Sequence, residues 1–225
     1  METIETRLED LYTEERTRLA ALAAADTPQG EYASPVFGAG SPDSDTVLIG
    51  EAPGAEETKT GIPFVGKAGK QLDQLLSEAG IDRKRLFLTN TVKYRPVVRS
   101  AKTARNRTPS RKEIVEALPL LQNEMELLRP AVIVTLGSTP LGAVLDLASE
   151  KRVPIGEAHG KARRISIGSL KTWIFPLYHP ASCIYNRSLT EVLQTDAAQL
   201  GRFLDEQNAA CYDRRVMNMQ KEKHV

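Results

Sequence analysis

Three short apolar runs, separated by segments with helical periodicity, constrain the fold of this chain more than any other feature. The runs are residues 46–49, 86–88 and 131–136, and each is followed by a glycine or a polar residue. Between the first two runs, residues 67–79 carry alanine and leucine at helical spacing and end at Gly80, a common signal for a helix C-terminus. Strands that alternate with helices predict a parallel sheet covered by helices on both faces.

The rest of the chain is consistent with one domain over residues 1–225. Residues 165–167 and 172–177 flank a Gly-Ser pair and predict a hairpin. The chain has 225 residues, is 41% hydrophobic and contains no Pro/Gly/Ser-rich linker, so it can bury one substantial core. We therefore expect an α/β fold, a single-domain three-layer αβα structure with a central, mostly parallel four-stranded sheet. Residues 1–40 would form an amino-terminal helix and lead-in, and residues 208–225 a flexible tail.

The composition argues against a membrane protein, a secreted protein and a metal protein. No run of about eighteen apolar residues is present, and residues 1–18 are rich in Glu and Arg, unlike a cleaved leader. Neither of the two cysteines, Cys183 and Cys211, belongs to a Cys-x-x-Cys pair, and two thiols cannot form a four-thiolate metal site. We expect a monomeric cytoplasmic protein with reduced thiols, no membrane contact, and no metal or cofactor.

Basic residues are concentrated in one stretch. The net charge is only +1, but residues 93–112 contain eight basic residues and no acidic one, whereas residues 1–16 carry six carboxylates. Such a separation can place a basic loop over phosphates while the whole chain stays near neutrality, which supports the hypothesis of salt-dependent DNA binding. The alternative is a solvated surface loop, the more common origin of an isolated run of charge.

Side chains suited to handling a base follow the predicted strands. Glu51 follows the first strand, Asn90 the second and His179 the last, while Phe64 lies on a glycine-flanked loop. Because ligands bind beyond the carboxyl ends of the strands in such sheets, we expect these residues to converge at one edge. Each has an ordinary alternative: a tight turn, a turn cap, a structural histidine or a buried core ring. The ordinary explanation therefore requires four coincidences at the same edge of the sheet.

Five motifs in a fixed order give the chain a family resemblance. They are Gly-Glu-Ala-Pro-Gly (50–54), Gly-Ile-Pro-Phe-Val-Gly-Lys-Ala-Gly (61–69), Thr-Asn-Thr-Val-Lys-Tyr-Arg-Pro (89–96), Asn-Arg-Thr-Pro (106–109) and His-Pro (179–180). Together they resemble the uracil-DNA glycosylase superfamily, and most of all its family-four branch, from about Val47 to Arg187. The resemblance implies an enzyme whose partner is uracil-containing DNA.

The chain departs from family four at the cysteines. Members of that branch hold an iron–sulfur cluster with four cysteines, but here Tyr94 and Ala117 stand at two of these positions and the amino-terminal pair is missing. Because such a cluster needs thiolate ligands, we expect a relative without it. A histidine that traps uracil-DNA covalently in another branch corresponds to Asn106, so we expect no irreversible trapping.

The resemblance implies a pocket for a uracil flipped out of the DNA stack. Phe64 would stack on the base, and the amide of Asn90 would accept from N3–H and donate to O4. Cytosine presents the opposite pattern and would leave buried groups unpaired, so the pocket would discriminate against it. Glu57 would lie near C5 and exclude the thymine methyl group, and Ala52 would contribute backbone to the first turn.

Two residues are candidates for cleavage of the glycosidic bond. His179 would donate to uracil O2, where negative charge develops. Glu51 would either position water or stabilise the cationic sugar, and the sequence leaves both roles open.

Contacts with the DNA strand are assigned to five further residues. Lys93, Arg95 and Arg107 would contact phosphates. Ile184 and Tyr185 follow the His-Pro turn and match the place of a wedge that fills the vacated stack, with ordinary packing as the alternative.

These patterns predict a monofunctional, metal-free uracil-DNA glycosylase of base excision repair. One alternative is a glycosylase for another deaminated base, such as hypoxanthine. Another is a non-catalytic binder of uracil-containing or single-stranded DNA. A small-nucleotide enzyme is a weaker alternative, because the sequence contains no P-loop and no dinucleotide fingerprint.

Overall fold

Helices and strands alternate along the chain in the computed structural model, which describes the backbone of residues 2–25, 30–100 and 103–222 and the side chains of these residues except 184–185 and 210–222. The helices are α1 (Ile4–Ala24), α2 (Ala55–Thr60), α3 (Lys67–Glu78), α4 (Arg111–Leu128), α5 (Ser138–Leu147), α6 (Ile155–Ala158), α7 (Ser182–Tyr185) and α8 (Leu189–Glu222). The strands are β1 (Gly30–Glu31), β2 (Ala39–Gly40), β3 (Thr46–Gly50), β4 (Phe87–Asn90), β5 (Arg95–Arg99), β6 (Ala104–Asn106), β7 (Val132–Leu136), β8 (Arg163–Ile167) and β9 (Leu170–Leu177).

The main sheet has six strands in the order β2-β4-β3-β7-β9-β8. Strands β4, β3, β7 and β9 run parallel, and β2 and β8 pair antiparallel at the two edges. The predicted α/β class and mostly parallel sheet are confirmed, but the expected count of four strands is wrong. The parallel strands coincide with the apolar runs of the sequence. The first arm of the predicted hairpin joins the sheet as β8, and the two-residue β2 is too short to leave a sequence pattern.

Helices cover both faces of this sheet because its central strands are apolar on both sides. In β3, Val47 and Ile49 pack into one buried cluster with residues of α1, α4 and α5. Leu48 belongs to a second cluster, formed with residues of α3 and α8. All three side chains are at most 1% exposed. The sheet is therefore the middle of three layers, as predicted. Among the described helices, none is both long and apolar enough to span a membrane.

The basic stretch forms a hairpin, not the loop expected from its charge. Strands β5 and β6 pair antiparallel, with β1 on the other side of β5. Val97 is buried in this small sheet, whereas Val98 is 59% exposed and has Arg105 as its cross-strand partner. One buried and one exposed face are typical of antiparallel strands. The alternation covers too few residues to be recognised in the sequence.

Candidate active site

The carboxyl ends of the parallel strands open into one cleft of about 920 Å³. Its lining includes Glu51 after β3, Asn90 at the end of β4, His179 after β9, and Phe64 from the loop before α3. The parallel topology brings these residues together, as the positions of the motifs predicted. Ala52 and Glu57 line the same cleft.

Phe64 is held in a backbone conformation that few side chains adopt. Its φ is +58°, in the left-handed region, and the residue is only 7% exposed. Arg83 donates to the carbonyl oxygens of Pro63 and Phe64, each at 3.2 Å. Gly69 allows the close approach of the loop, because a Cβ there would lie 2.0 Å from the Phe64 carbonyl oxygen. Strained residues persist where the surrounding structure fixes them, often at functional sites.

Asn90 and Phe64 pack against the same glycine. Gly50 and Asn90 are register partners in β3 and β4. A Cβ on Gly50 would lie 2.4 Å from Asn90 Oδ1 and 2.6 Å from Phe64 Cζ, so only glycine fits beneath the two side chains. The Gly50 turn thus makes room for an amide and an aromatic ring, which lie side by side at the cleft.

His179 is oriented by a backbone hydrogen bond. The amide of Ala181 donates to Nδ1 at 3.1 Å, so in the neutral ring the proton lies on Nε2. Burial lowers the pKa of His179 below its usual value. A neutral imidazole with a defined Nε2–H is therefore the form present near neutral pH. This is a fixed hydrogen-bond donor at the wall of the cleft.

Glu51 has a partner that sequence reasoning missed. Thr139, the second residue of α5, donates from Oγ1 to Glu51 Oε2 at 2.7 Å, and both residues line the cleft. The bond holds the carboxylate through Oε2. The sequence offers only one sign of this partner, a hydroxyl residue two positions after Gly137, the glycine that follows β7.

Both carboxylate oxygens of Glu57 accept hydrogen bonds from glycine amides. Its Oε2 accepts from the Gly54 amide at 3.1 Å and its Oε1 from the Gly66 amide at 2.8 Å, and the residue is 8% exposed. The carboxylate therefore ties the turn after β3 to the loop that carries Phe64. Its predicted place near C5 of the base stays a prediction.

The three cations assigned to phosphate contacts are engaged within the protein. Lys93 is 1% exposed and pairs with Glu124, so the prediction that it contacts phosphate is wrong. The charge pattern misled because a lysine among arginines gives no sign of burial. The Arg95 side chain is 11% exposed and bonds to carboxylate oxygens of Glu31. Arg107 pairs with a carboxylate as well, although it lines the cleft. The structure therefore does not support phosphate contacts for Arg95.

The predicted wedge residues lie only partly within the described structure. Their backbone forms the end of α7, next to cleft residues Ala181 and Ser182. The side chains of Ile184 and Tyr185 lie outside the described residues, so their role stays a prediction.

A match to a known family extends over the whole cleft. The model for the uracil DNA glycosylase superfamily matches residues 37–205, which include every cleft residue named above. The chain belongs to the uracil-DNA glycosylase superfamily.

Three members of this superfamily, each named Type-4 uracil-DNA glycosylase, are similar to the chain over most of its length. The protein from Saccharolobus solfataricus is 38% identical over 162 residues, covering 72% of each chain. The one from Pyrobaculum aerophilum is 35% identical over 175 residues, 76% of this chain and 86% of that protein. The one from Thermotoga maritima is 39% identical over 153 residues, 68% of this chain and 73% of that protein. The resemblance drawn from the motifs is thereby confirmed.

The residues at the expected cluster positions do not fit the iron–sulfur cluster of family-four uracil-DNA glycosylases. Tyr94 and Ala117 belong to a buried apolar cluster with Leu19, Tyr32 and other residues. The Tyr94 ring lies 4.5 Å from the Tyr32 ring, between centroids, and neither Tyr94 nor Ala117 offers a thiolate. Cys183, half-buried in α7, packs against a different core cluster. Among the described residues, no group of His, Cys, Asp or Glu is placed to hold a metal ion.

A polar unit extends from this apolar cluster to the cleft. The Tyr94 hydroxyl donates to Glu113 Oε1 at 2.9 Å, and Arg107 binds both oxygens of Glu113 at 2.7 Å. Burial by itself would raise the pKa of Glu113, but hydrogen bonds from Arg107, Ser110 and Tyr94 outweigh it and lower the pKa to about 2. The unit joins the end of the basic hairpin to the start of α4.

Proposed function

We propose that this protein is a uracil-DNA glycosylase that excises uracil from DNA in base excision repair. The observation that carries the proposal is the placement of Asn90 and Phe64 against Gly50, in a cleft that His179 also lines. These side chains supply what excision needs: a face to stack on, an edge to pair with, and a donor for the leaving base. The Type-4 relatives are named for this activity.

Recognition of the base follows from the two side chains at Gly50. A flipped base loses its stacking and pairing partners, and stacking on Phe64 recovers part of that cost. The Asn90 amide accepts from uracil N3–H and donates to O4. Cytosine offers an acceptor and a donor at the reversed positions, so its entry leaves the buried amide unpaired. A polar group that is 3% exposed makes such a mismatch costly.

Cleavage uses His179 and Glu51. When the bond between C1′ and N1 breaks, the electron pair leaves with uracil and negative charge develops on O2. The Nε2–H of His179 donates to that oxygen, and its orientation is set before the reaction by the bond from Ala181. Glu51, held by Thr139, either directs water to C1′ or stabilises the positive charge on the sugar.

The DNA strand is held by the basic hairpin. Arg99 and Arg105 are exposed on β5 and β6, and the hairpin leads into Asn106 and Arg107 at the cleft. We assign phosphate contacts to Arg99 and Arg105. Arg107 lies farther along, in the lining of the cleft. A monomeric state and a cytoplasmic location stay predictions from the sequence.

One assay tests the proposed function against its alternatives. End-labelled oligonucleotides that contain a single uracil, hypoxanthine or thymine are incubated with the protein, and abasic sites are then cleaved with alkali. We expect product from the uracil strand alone. Product mainly from hypoxanthine would assign the enzyme to another deaminated base. Retarded migration without cleavage would make it a binder.

A further inference from the structure

A completely buried ion pair lies behind the pocket and has no part in the chemistry described so far. Lys93 is 1% exposed and Glu124 is not exposed at all, and their charged atoms are 2.7 Å apart. Lys93 follows β4 and Glu124 lies in α4. The pair joins the carboxyl end of β4, where Asn90 lies, to helix α4 on one face of the sheet.

The ammonium group of Lys93 uses all of its donors. It donates to Glu124 Oε2 at 2.7 Å, to Thr89 Oγ1 at 2.7 Å and to the main-chain oxygen of Asn90 at 2.6 Å. On the other side, the Tyr12 hydroxyl donates to Glu124 Oε1 at 2.8 Å. An ammonium has three protons, so no donor is left for DNA.

Stability alone does not require an ion pair at this position. Burial lowers the pKa of Lys93, and the neighbouring Glu124 only partly offsets the shift. Buried ion pairs can often be replaced by apolar residues of similar volume without loss of stability. What an apolar pair cannot supply is the hydrogen bond to the Asn90 carbonyl.

We propose that the Lys93–Glu124 pair positions Asn90 for base recognition. By fixing the Asn90 carbonyl, the ammonium sets the direction in which the side-chain amide leaves the end of β4. The Asn90 amide lies close to Gly50, since a Cβ on Gly50 would be 2.4 Å from Asn90 Oδ1. In so confined a place, a small rotation of the Asn90 backbone would displace the amide from the base. Lys93 and Glu124 are positioning residues that do not touch the substrate. This inference rests on the proposed function.

The first test removes both charges together. Lys93→Met combined with Glu124→Leu leaves no unpaired buried charge, so we expect a folded protein. Its melting temperature should be lower than that of the wild type, because the Asn90 carbonyl and the Thr89 and Tyr12 hydroxyls lose a hydrogen-bond partner. Its single-turnover rate on uracil-DNA should fall about 10- to 100-fold, the effect of a small misplacement of a pocket group. Affinity for undamaged DNA should not change. A folded double variant that cleaves at the wild-type rate would overturn the proposal.

The second test asks whether the effect passes through Asn90. In an Asn90→Ala background, Lys93→Met with Glu124→Leu should lower the rate no further, because the amide that the ion pair positions is already gone. The same fold-reduction in both backgrounds would contradict the proposal and leave only a general structural role. Tyr12→Phe is the matched control: it removes a hydrogen bond to Glu124 but keeps the Lys93 contact with Asn90, so we expect the wild-type rate.

A second double variant serves if the first one does not fold. Lys93→Gln with Glu124→Gln keeps a polar contact between the two residues, but glutamine at position 93 is shorter than lysine and no longer reaches the Asn90 carbonyl. The same reduction in rate is expected, and a wild-type rate would refute the positioning role. Failure of the proposed function is distinguishable, because the wild-type protein itself would then release no uracil.

Discussion

At the scale of single residues, the proposed cleavage depends on the proton that His179 carries on Nε2. The bond from the Ala181 amide makes Nδ1 an acceptor, and burial keeps the ring neutral. A neutral donor to uracil O2 stabilises developing charge without reorganisation during the reaction.

Removal of the donor should therefore reduce catalysis and spare the fold. We expect His179→Ala to lower the single-turnover rate on uracil-DNA about 100- to 1,000-fold, the usual effect of losing one such donor. The far-ultraviolet circular dichroism should not change. His159→Gln is the control, since His159 pairs with Asp196 and does not line the cleft. A wild-type rate in His179→Ala would exclude it as the donor.

The same residue should make stability depend on pH. As the pH falls through 6.5, the usual pKa, the unfolded ring takes up a proton while the buried ring does not. The unfolded state then binds more protons, so stability is lost as the pH drops through this window. Urea midpoints at about pH 8 and about pH 5 should differ less in His179→Gln than in the wild type. Equal losses in both proteins would mean that the ring titrates normally.

Part of this residue-level detail could be predicted from the sequence. Glu51, Phe64, Asn90 and His179 follow strand ends or lie on a glycine-flanked loop, and parallel strands bring their carboxyl ends together. Thr139 and the burial of Lys93 could not be predicted. Both depend on contacts between residues that lie far apart in sequence, 88 positions for Thr139 and Glu51, and no local pattern records such a contact.

At the scale of elements, the unit of Tyr94, Glu113 and Arg107 joins the basic hairpin to α4. Family-four relatives are expected to use cluster ligands at the positions of Tyr94 and Ala117. Here both residues belong to one buried apolar cluster, and the tyrosine donates to Glu113. A phenol, a carboxylate and a guanidinium thus stabilise the segment that brings Asn106 and Arg107 to the cleft.

Acid should weaken this connection in a defined range. The pKa of Glu113 falls from 4.5 to about 2 on folding, so its contribution to stability is present above 4.5 and is lost as the pH falls through about 2. We expect Glu113→Gln to be less stable than the wild type at neutral pH, with the difference narrowing as the pH is lowered through this range. Thermal melts in a pH series measure the effect. Exposed Glu116→Gln on the same helix should show no such convergence.

The hairpin should carry the salt dependence of DNA binding. Removing one phosphate contact from a protein bound to duplex DNA reduces the slope of log affinity against log salt by about 0.9. We therefore expect Arg99→Ala and Arg105→Ala to reduce the slope by about this amount each. Fluorescence anisotropy at several salt concentrations provides the slopes. Lys171→Ala, at the amino end of β9 and away from the cleft, is the control, and an equal effect there would contradict a specific role for the hairpin.

At the scale of the whole molecule, the sheet converts sequence order into a site. Apolar clusters on both faces fix the strands, and the four parallel strand ends then place distant motifs around one cleft. The alternation of strands and helices was enough to predict this architecture. The edge strand β2 and the basic hairpin were not predicted, because two or three paired residues leave too short a pattern.

We expect this superfamily member to excise uracil with a pocket that needs no iron–sulfur cluster. The most direct test is to quantify free uracil released from a uracil-containing duplex by protein whose iron content has been measured. We expect one uracil to be released for each abasic site formed, by colourless protein without iron and with a chelator present. Release of no uracil, or activity that follows the iron content, would contradict it.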